Sequence, residues 1–223
     1  MTTTQHSSPA DAPADGHAHE VGLGACQDLV NTVELTDGVP EDHLHGPEDA
    51  IRFLSSRGLA HEAALRAQVA PDPGTWLGRL EEVRAAMREV WDAAVEDRTV
   101  AAEAVDTLNE VLAHAPVTQL RPGIVGIVVG HRHDDADPTG EALARIAGPL
   151  VEALARGDTD RFRVCANDGC RWVFEDTSRG GRRRWCDMSS CGNRAKVRRF
   201  RSRRRDEPAS ADAAGEATEA EGT

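Results

Sequence analysis

Four of the five cysteines in this 223-residue chain lie close together near its C-terminal end. They form two pairs, Cys165/Cys170 and Cys186/Cys191, with four residues inside each pair and fifteen between the pairs. A four-residue gap lets the chain reverse so that both thiolates point at one centre, and two such turns supply four soft ligands for a tetrahedral zinc site. Gly169 fits the first turn, since a tight turn favours a positive φ that glycine tolerates. Four thiolates leave Zn²⁺ no open position for water or substrate, so the expected site is structural.

The alternative for four cysteines is a pair of disulfides, as in small secreted domains. A secretory signal peptide has a charged start followed by an apolar core, and residues 1–20 lack this pattern. Cytosolic thiols stay reduced, so we expect bound Zn²⁺ rather than disulfides or unliganded thiols. In so short and polar a segment, metal binding would supply most of the folding free energy, on the order of 10 kcal/mol.

The charge of the chain changes sign around these cysteines. Residues 161–205 carry fifteen Lys or Arg against four acids, a formal charge of +11, while the whole chain carries −12. Four thiolates and one Zn²⁺ add −2, which leaves the segment at about +9. Taken alone, the acidic total argues against nucleic acid as a partner. Taken by segment, the distribution indicates a nucleic-acid-binding region.

The basic residues of this segment fall into a loop and a predicted helix. The loop follows Gly180-Gly181, and its three arginines are expected to reach phosphates. Residues 193–205 lack glycine and proline, so a helix with an arginine stripe at i, i+4, i+7 and i+11 is predicted. The arginine fork suits phosphate oxygens and guanine edges. The candidate nucleic-acid-binding residues are Arg182, Arg183, Arg184, Asn193, Arg194, Lys196, Arg198, Arg199, Arg201 and Arg205.

Aromatic and apolar residues around the cysteines have structural interpretations as well. Residues 161–164 and 171–174 are strand-like, and together they predict a hairpin that carries the first cysteine turn. Trp172, Phe174 and Trp185 could stack on bases, but in a metal module with few apolar residues we expect them to form its small core.

Two questions concern the predicted helix itself. Val197 and Phe200 are three residues apart, which predicts that they dock the helix against the zinc core. Asn193 and Arg194 stand beside Cys191 at the helix start. They either contact bases or serve as capping and packing groups, and the sequence favours neither.

Residues 185–194, with the preceding C-x4-C and the segment FEDTSRGGRRR, resemble the CGNR zinc finger, named for Cys191-Gly192-Asn193-Arg194. Upstream, CQDLVNTVEL at residues 26–35 and PEDAIRFLSSRGL at residues 47–59 resemble the start of the helical domain that accompanies this finger, called ABATE. The resemblance covers about residues 21–205. It implies a stress-induced transcriptional regulator whose finger binds DNA.

The rest of the chain has mainly helical periodicity. Apolar residues at i, i+3 and i+4 spacing, or matching start and stop signals, predict helices at residues 21–35, 46–59, 75–97, 99–114 and 138–158. Residues 124–129 are β-branched with glycines between them, and they predict a short hairpin. Cys26 falls on the apolar face of the first helix, so we expect a buried free thiol.

A second group of metal-ligating residue types follows the predicted hairpin. Its members are His131, His133, Asp134, Asp135 and Asp137. Histidines two apart in a loop lack the fixed common face of i, i+4 ligands on a helix, so a solvated loop is the preferred interpretation over a second metal site.

These patterns predict a fold that is mainly α with a small β element (α+β), with a helical N-terminal domain and a small C-terminal zinc-finger domain. We assign residues 1–20 to a disordered leader, 21–157 to the helical domain, 158–205 to the finger with its basic helix, and 206–223 to a disordered acidic tail. The sequence has no run of 18 apolar residues, no Gly-rich phosphate loop and no catalytic constellation. We therefore expect a cytoplasmic protein that is not an enzyme and does not bind membranes.

The expected function is transcriptional regulation through zinc-dependent DNA binding, mainly to phosphates. One finger gives weak sequence specificity, so dimerisation through the helical domain is a hypothesis. Two alternatives remain: a zinc module that binds RNA or an acidic protein, and a small-molecule-sensing or enzymatic helical domain that the finger localises. The sequence does not identify a ligand for the helical domain.

Overall fold

The computed structural model describes residues 22–36 and 39–206. The predicted disordered leader lies outside the described residues, and so does the predicted acidic tail from residue 207 onward. Asp206, the first residue assigned to that tail, ends the last helix.

Residues 22–157, called the body below, form helices and two antiparallel hairpins. The elements are α1 (Leu23–Val30), β1 (Val33–Thr36), β2 (Val39–Asp42), α2 (Pro47–Ser56), α3 (Glu62–Val69), α4 (Pro73–Glu96), α5 (Ala102–Leu112), β3 (Val117–Pro122), β4 (Ile127–Arg132) and α6 (Pro138–Arg156). β1 pairs with β2, and β3 pairs with β4.

Residues 158–206, called the finger, hold less regular structure. A short 3-10 turn (Asp158–Arg161) leads into β5 (Phe162–Val164), which pairs antiparallel with β6 (Val173–Glu175). A π-helical turn (Met188–Gly192) then leads into α7 (Asn193–Asp206). The fold class is thus confirmed as mainly α with small β elements. In the described ranges, no helix is both long and apolar enough to cross a lipid bilayer.

Helix α4 lies at the centre of the body, where it contacts α1, α2, α5 and α6. Its buried residues Leu80, Met87 and Trp91 belong to one continuous apolar core with residues of those helices. Cys26 is fully buried in this core, as expected, and its Sγ lies 3.6 Å from the Met87 Sδ. Burial raises the pKa of the Cys26 thiol to about 12, so this cysteine behaves as a small apolar side chain.

The two longest helices share one start signal. Each begins with an Asp N-cap followed by proline. Proline has no backbone N–H, and in the first turn of a helix that donor would have no partner within the helix anyway. The Asp72 side chain accepts from the backbone N–H of Thr75 at 3.1 Å, and the Asp137 side chain accepts from that of Gly140 at 2.8 Å. The sequence therefore sets where α4 and α6 begin.

The first predicted helix is shorter than expected. It ends at Val30, and Val33 lies in strand β1 instead of on the helix. Helical spacing continues through Val33, but β-branched residues favour a strand there. Arg84 on α4 also binds the hairpin, because it donates to Thr32 Oγ1 at 2.8 Å and contacts both oxygens of Asp42. Tertiary contacts therefore stabilise a hairpin that the periodicity did not predict.

The other body predictions differ in outcome. Helix α2 agrees with the expected helix, with Pro47 in its first turn and Gly58 beyond its end at a φ of +64°. A hairpin is present as predicted, but residues 124–126 form its turn, β4 begins at Ile127, and the partner strand β3 lies wholly before the predicted range. Helix α3 has no counterpart in the sequence predictions, because only Leu65 and Val69 of its short span are buried.

The histidine and aspartate loop after β4 is tied to the protein. The Nδ1 of His133 lies 2.6 Å from Glu141, and the Nδ1 of His114 lies 2.8 Å from Asp134. Asp137 caps α6 and also pairs with Arg79 at 2.6 Å. These side chains therefore already have protein partners. Within the described ranges, the only group of ligand atoms close enough to share a metal is the cysteine group, which favours the loop interpretation.

Candidate metal centre and basic helix

The β5–β6 hairpin of the finger packs into the core of the body. The Phe162 ring stacks on Trp91 with a centroid separation of 4.1 Å and an interplanar angle of 8°. The Asn31 side chain bonds both backbone groups of Val173, donating to its carbonyl and accepting from its N–H, each at 2.9 Å. Since Phe162 and Val173 are both buried in the body core, the hairpin holds the finger against the body.

The four predicted zinc ligands meet beyond this hairpin. The Sγ atoms of Cys165, Cys170, Cys186 and Cys191 all lie within 4.8 Å of one another. The Cys170–Cys186 and Cys186–Cys191 Sγ separations are 3.6 Å and 3.7 Å, and none of the four forms a disulfide. Tetrahedral Zn–S bonds of about 2.3 Å would place the sulfurs about 3.8 Å apart. The donor set and its spacing therefore fit a four-thiolate metal site.

The first cysteine turn is closed by backbone bonds. The N–H of Cys165 donates to the Trp172 carbonyl at 2.8 Å, and the N–H of Cys170 donates to the Asn167 carbonyl at 2.8 Å. The positive φ of this turn, +58°, falls on Arg171. The expectation that Gly169 would adopt it is wrong, because the chain turns into the left-handed region only after Cys170.

A buried amide links the metal centre to the basic helix. Asn167 donates through Nδ2 to the Cys191 Sγ at 3.5 Å, and Arg198 donates to its Oδ1 at 2.7 Å. Burial alone raises the pKa of the Cys191 thiol, yet the bond from Asn167 and those with the other cysteines lower it overall. Sequence reasoning missed Asn167, and it assigned Arg198 to nucleic acid although Arg198 binds within the finger.

Two of the other thiols, those of Cys170 and Cys186, need a cation to ionise. Burial raises the pKa of Cys170 to about 12 and also raises that of Cys186. Without a metal ion these two groups are thiols at neutral pH. A bound divalent ion stabilises the thiolate forms and releases their protons.

The aromatic residues of the finger surround the cysteines. Phe174 is buried with them, and Trp172 and Trp185 pack partly buried against the same cluster. This supports the expectation that they form a small core, and it leaves little of the Phe174 ring for stacking on bases.

The loop before Cys186 is fixed by another residue that the sequence did not identify. Asp176 is fully buried and accepts hydrogen bonds from the Ser178 hydroxyl at 2.5 Å and from the Arg183 N–H at 2.7 Å. These bonds hold the pKa of Asp176 below its ordinary value. Arg161 donates to the Asp176 and Ser178 carbonyls, so the loop is held from both sides.

The three loop arginines have different surroundings. Arg183 donates to the carbonyls of Trp185 and Cys186 and lies over the Phe174 ring, 4.9 Å from its centroid. It is therefore not free to reach phosphates, although the sequence had predicted that it would. Arg182 and Arg184 are exposed.

Helix α7 starts at the metal centre, contacts the turn before it, and is exposed along the rest of its described length. Val197 and Phe200 are 48% and 60% exposed, so the prediction that they dock the helix is wrong. The Asn193 side chain donates to the Ser189 carbonyl at 2.8 Å, which is a packing role. The side chain of Arg205 lies outside the described residues.

Comparison with known families agrees with this architecture. Residues 161–204 match the CGNR zinc finger, and residues 23–157 match ABATE, described as "Putative stress-induced transcription regulator". The chain belongs to the ABATE family. A search among curated proteins finds no match. The cysteine cluster and the two family matches together identify a metal-binding regulatory protein of this family.

A cleft of about 1060 Å³ lies between α6, the base of the β3–β4 hairpin and the start of the finger. Its arginines already bind protein groups. Arg145 donates to the Leu59 carbonyl at 2.9 Å, Arg156 pairs with Asp158 at 2.8 Å, and Arg161 binds the carbonyls described above. A ligand of this cleft would therefore have to displace these contacts to bind the arginines.

Proposed function

We propose that this ABATE protein is a cytoplasmic transcriptional regulator, not an enzyme, and that its zinc-bound finger binds duplex DNA through α7. The observation that carries the proposal is a set of exposed cations on this helix. These cations are Arg194, Lys196, Arg199, Arg201 and Arg203, and within the described residues none of the five has an ion-pair partner.

Zinc is the metal that the site suits best. Cys165, Cys170, Cys186 and Cys191 supply four soft ligands, and their separations match tetrahedral Zn–S geometry. When bound, Zn²⁺ would crosslink the two cysteine turns and neutralise part of their thiolate charge. Cys191 comes two residues before the start of α7, so metal binding would fix the base of the basic helix.

The distribution of residues around α7 suits a groove. Successive helical residues advance by about 100°. Arg194 and Arg201 therefore lie on one side of the exposed Val197–Phe200 strip, and Lys196, Arg199 and Arg203 lie on the other. Two basic rows that flank an apolar strip can bind phosphates on both walls of the major groove, while the strip contacts thymine methyls on its floor.

The test is fluorescence anisotropy of the full zinc-loaded chain with a short labelled DNA duplex. About five phosphate contacts predict that log affinity falls with log salt at a slope of about −4 to −5. Unlabelled RNA should compete more weakly than unlabelled duplex DNA. If the chain ignores duplex DNA at low salt, the proposal fails; if RNA competes better, the finger is an RNA-binding module instead.

A further inference from the structure

The β3–β4 hairpin carries exposed aliphatic side chains that nothing in the body covers. Its two strands pair with each other along their whole length, and their main contacts are mutual. Leu120, Ile127 and Val129 are 69%, 71% and 62% exposed. Contiguous apolar surface of this kind marks an interaction site on a folded protein.

The register places the three most exposed apolar residues of the strands, Leu120, Ile127 and Val129, on one face. Leu120 lies directly opposite Val129, and Pro122 lies opposite Ile127. Side chains alternate between faces along a strand, so these two pairs share a face. His131 lies on it at the base of the hairpin and borders the cleft beside α6. The opposite face holds Val117, Gln119, Arg121, Val128, Gly130 and Arg132.

The turn carries two further apolar residues at the tip of the hairpin. Ile124 and Val125 are almost completely exposed there. With the four strand residues they form an exposed, mainly apolar surface of the same order as the about 800 Å² that each partner buries in a standard interface. We call these six residues, Leu120, Pro122, Ile124, Val125, Ile127 and Val129, the hairpin patch.

We propose that the hairpin patch is the interface of a homodimer, in which the hairpins of two copies pack face to face across a two-fold axis. The patch is aliphatic throughout, and aliphatic sheet faces pack by interdigitating their side chains. It is therefore complementary to itself, as a two-fold interface requires. The arginines of the hairpin, Arg121 and Arg132, lie on the other face, so they do not repel each other across the axis.

Adjacent residues on opposite faces supply a matched test. Val129→Glu places a charge in the patch, and Val128→Glu places the same charge on the other face, where Val128 is 45% exposed. Sedimentation equilibrium of the full zinc-loaded chain, without DNA, should give twice 24.0 kDa for the wild type and Val128→Glu. Val129→Glu should weaken self-association at least tenfold.

Circular dichroism should be unchanged in both variants, because both side chains are exposed in the monomer. Thermal unfolding of Val128→Glu should match the wild type, whereas Val129→Glu should lose the part of the wild-type stability that rises with protein concentration, since dimerisation stabilises the folded state. Ile127→Asp, in the neighbouring pair of the same face, must weaken self-association in the same way as Val129→Glu. A wild type that stays monomeric at high micromolar concentration overturns the proposal. So does equal weakening by Val128→Glu and Val129→Glu, and so does a monomer that binds phospholipid vesicles through the patch. Because no DNA is present, this test fails or succeeds independently of the proposed function.

Discussion

Most arginines of the body and those of the basic helix have opposite surroundings. In the body, carboxylates lie within ion-pair distance of Arg52, Arg57, Arg66, Arg79, Arg84, Arg88, Arg98 and Arg156. In the finger, some described arginines donate to backbone carbonyls and the Asn167 amide, and the others are exposed on α7 or in the loops without an acidic partner.

This contrast shows which basic residues are available to a partner. Paired arginines of the body must give up an existing contact before they can bind a phosphate. Unpaired arginines on a helix repel one another, and a polyanion relieves that repulsion. The overall acidic charge of the chain therefore does not describe the finger, and the nucleic-acid binding that we propose depends on a few unpaired residues there.

The largest expected effect comes from removing the metal that positions the unpaired helix. Cys165→Ser deletes a buried thiolate ligand, and we expect it to lower duplex affinity by at least a hundredfold, because α7 loses its fixed base. A colorimetric zinc assay and DNA anisotropy measure the two effects together. Cys26→Ala, which removes a buried thiol of the body core outside the cysteine cluster, should keep both zinc and DNA binding. Tight DNA binding by the zinc-free variant would contradict the account.

The second prediction compares a paired arginine with an unpaired one by the effect of each on the free energy of unfolding. Arg84 is buried and binds Asp42 and Thr32, so Arg84→Met leaves a carboxylate without its partner. We expect a loss of about 2–3 kcal/mol in the free energy of unfolding, reduced from the value for a fully buried pair because Asp42 is partly exposed. Arg201→Met should change it by less than about 0.5 kcal/mol. Urea unfolding measures both, and equal losses would remove the distinction.

The pH dependence of the Arg84 variant gives an internal control. Burial alone would raise the pKa of Asp42, but bonds from Arg84 and from the Leu44 N–H lower it overall. A carboxylate with a depressed pKa stabilises the fold fully above its unfolded pKa, and this contribution is lost as pH falls through the folded pKa. The stability difference between wild type and Arg84→Met should therefore shrink in acid. A difference that grows in acid would show that another contact dominates.

The smallest effect tests the link between the helix and the metal centre. Asn167→Ala removes the amide between Arg198 and Cys191, and we expect it to lower zinc affinity about tenfold, as other outer contacts to metal ligands do. Competition with a zinc chelator measures the change. Arg198→Gln should also lower zinc affinity, and Arg194→Gln should leave it unchanged. If Arg194→Gln weakens zinc binding as much as Arg198→Gln does, the link does not act through Asn167.

Local patterns predicted much of this architecture. Cysteine spacing predicted the four residues that meet at the metal centre, since a short gap constrains a turn. Helical periodicity predicted α4 and α6. The same periodicity extended the first helix too far, because Val33 has helical spacing by coincidence while Arg84, 52 residues from Thr32, stabilises a hairpin.

Contacts between distant residues could not be predicted in this way. Asn31 bonds Val173 across 142 residues, and Asn167 and Asp176 are single polar residues whose importance depends on what the fold brings to them. Val197 and Phe200 share a helical face, but their spacing cannot tell whether anything packs on that face. Burial and ion pairing are properties of the folded chain, and they determine which of the predicted binding residues are free to contact a partner.

The most direct test of the account compares the salt dependence of DNA binding in two triple variants with the same change in net charge. One carries Arg194→Gln, Arg199→Gln and Arg201→Gln on α7, and the other carries Arg52→Gln, Arg66→Gln and Arg98→Gln, which remove paired body arginines. The account predicts that the helix variant reduces the log–log salt slope by about 3, while the body variant leaves it unchanged. Equal reductions in both variants would contradict it, because net charge rather than the unpaired helix would then govern binding.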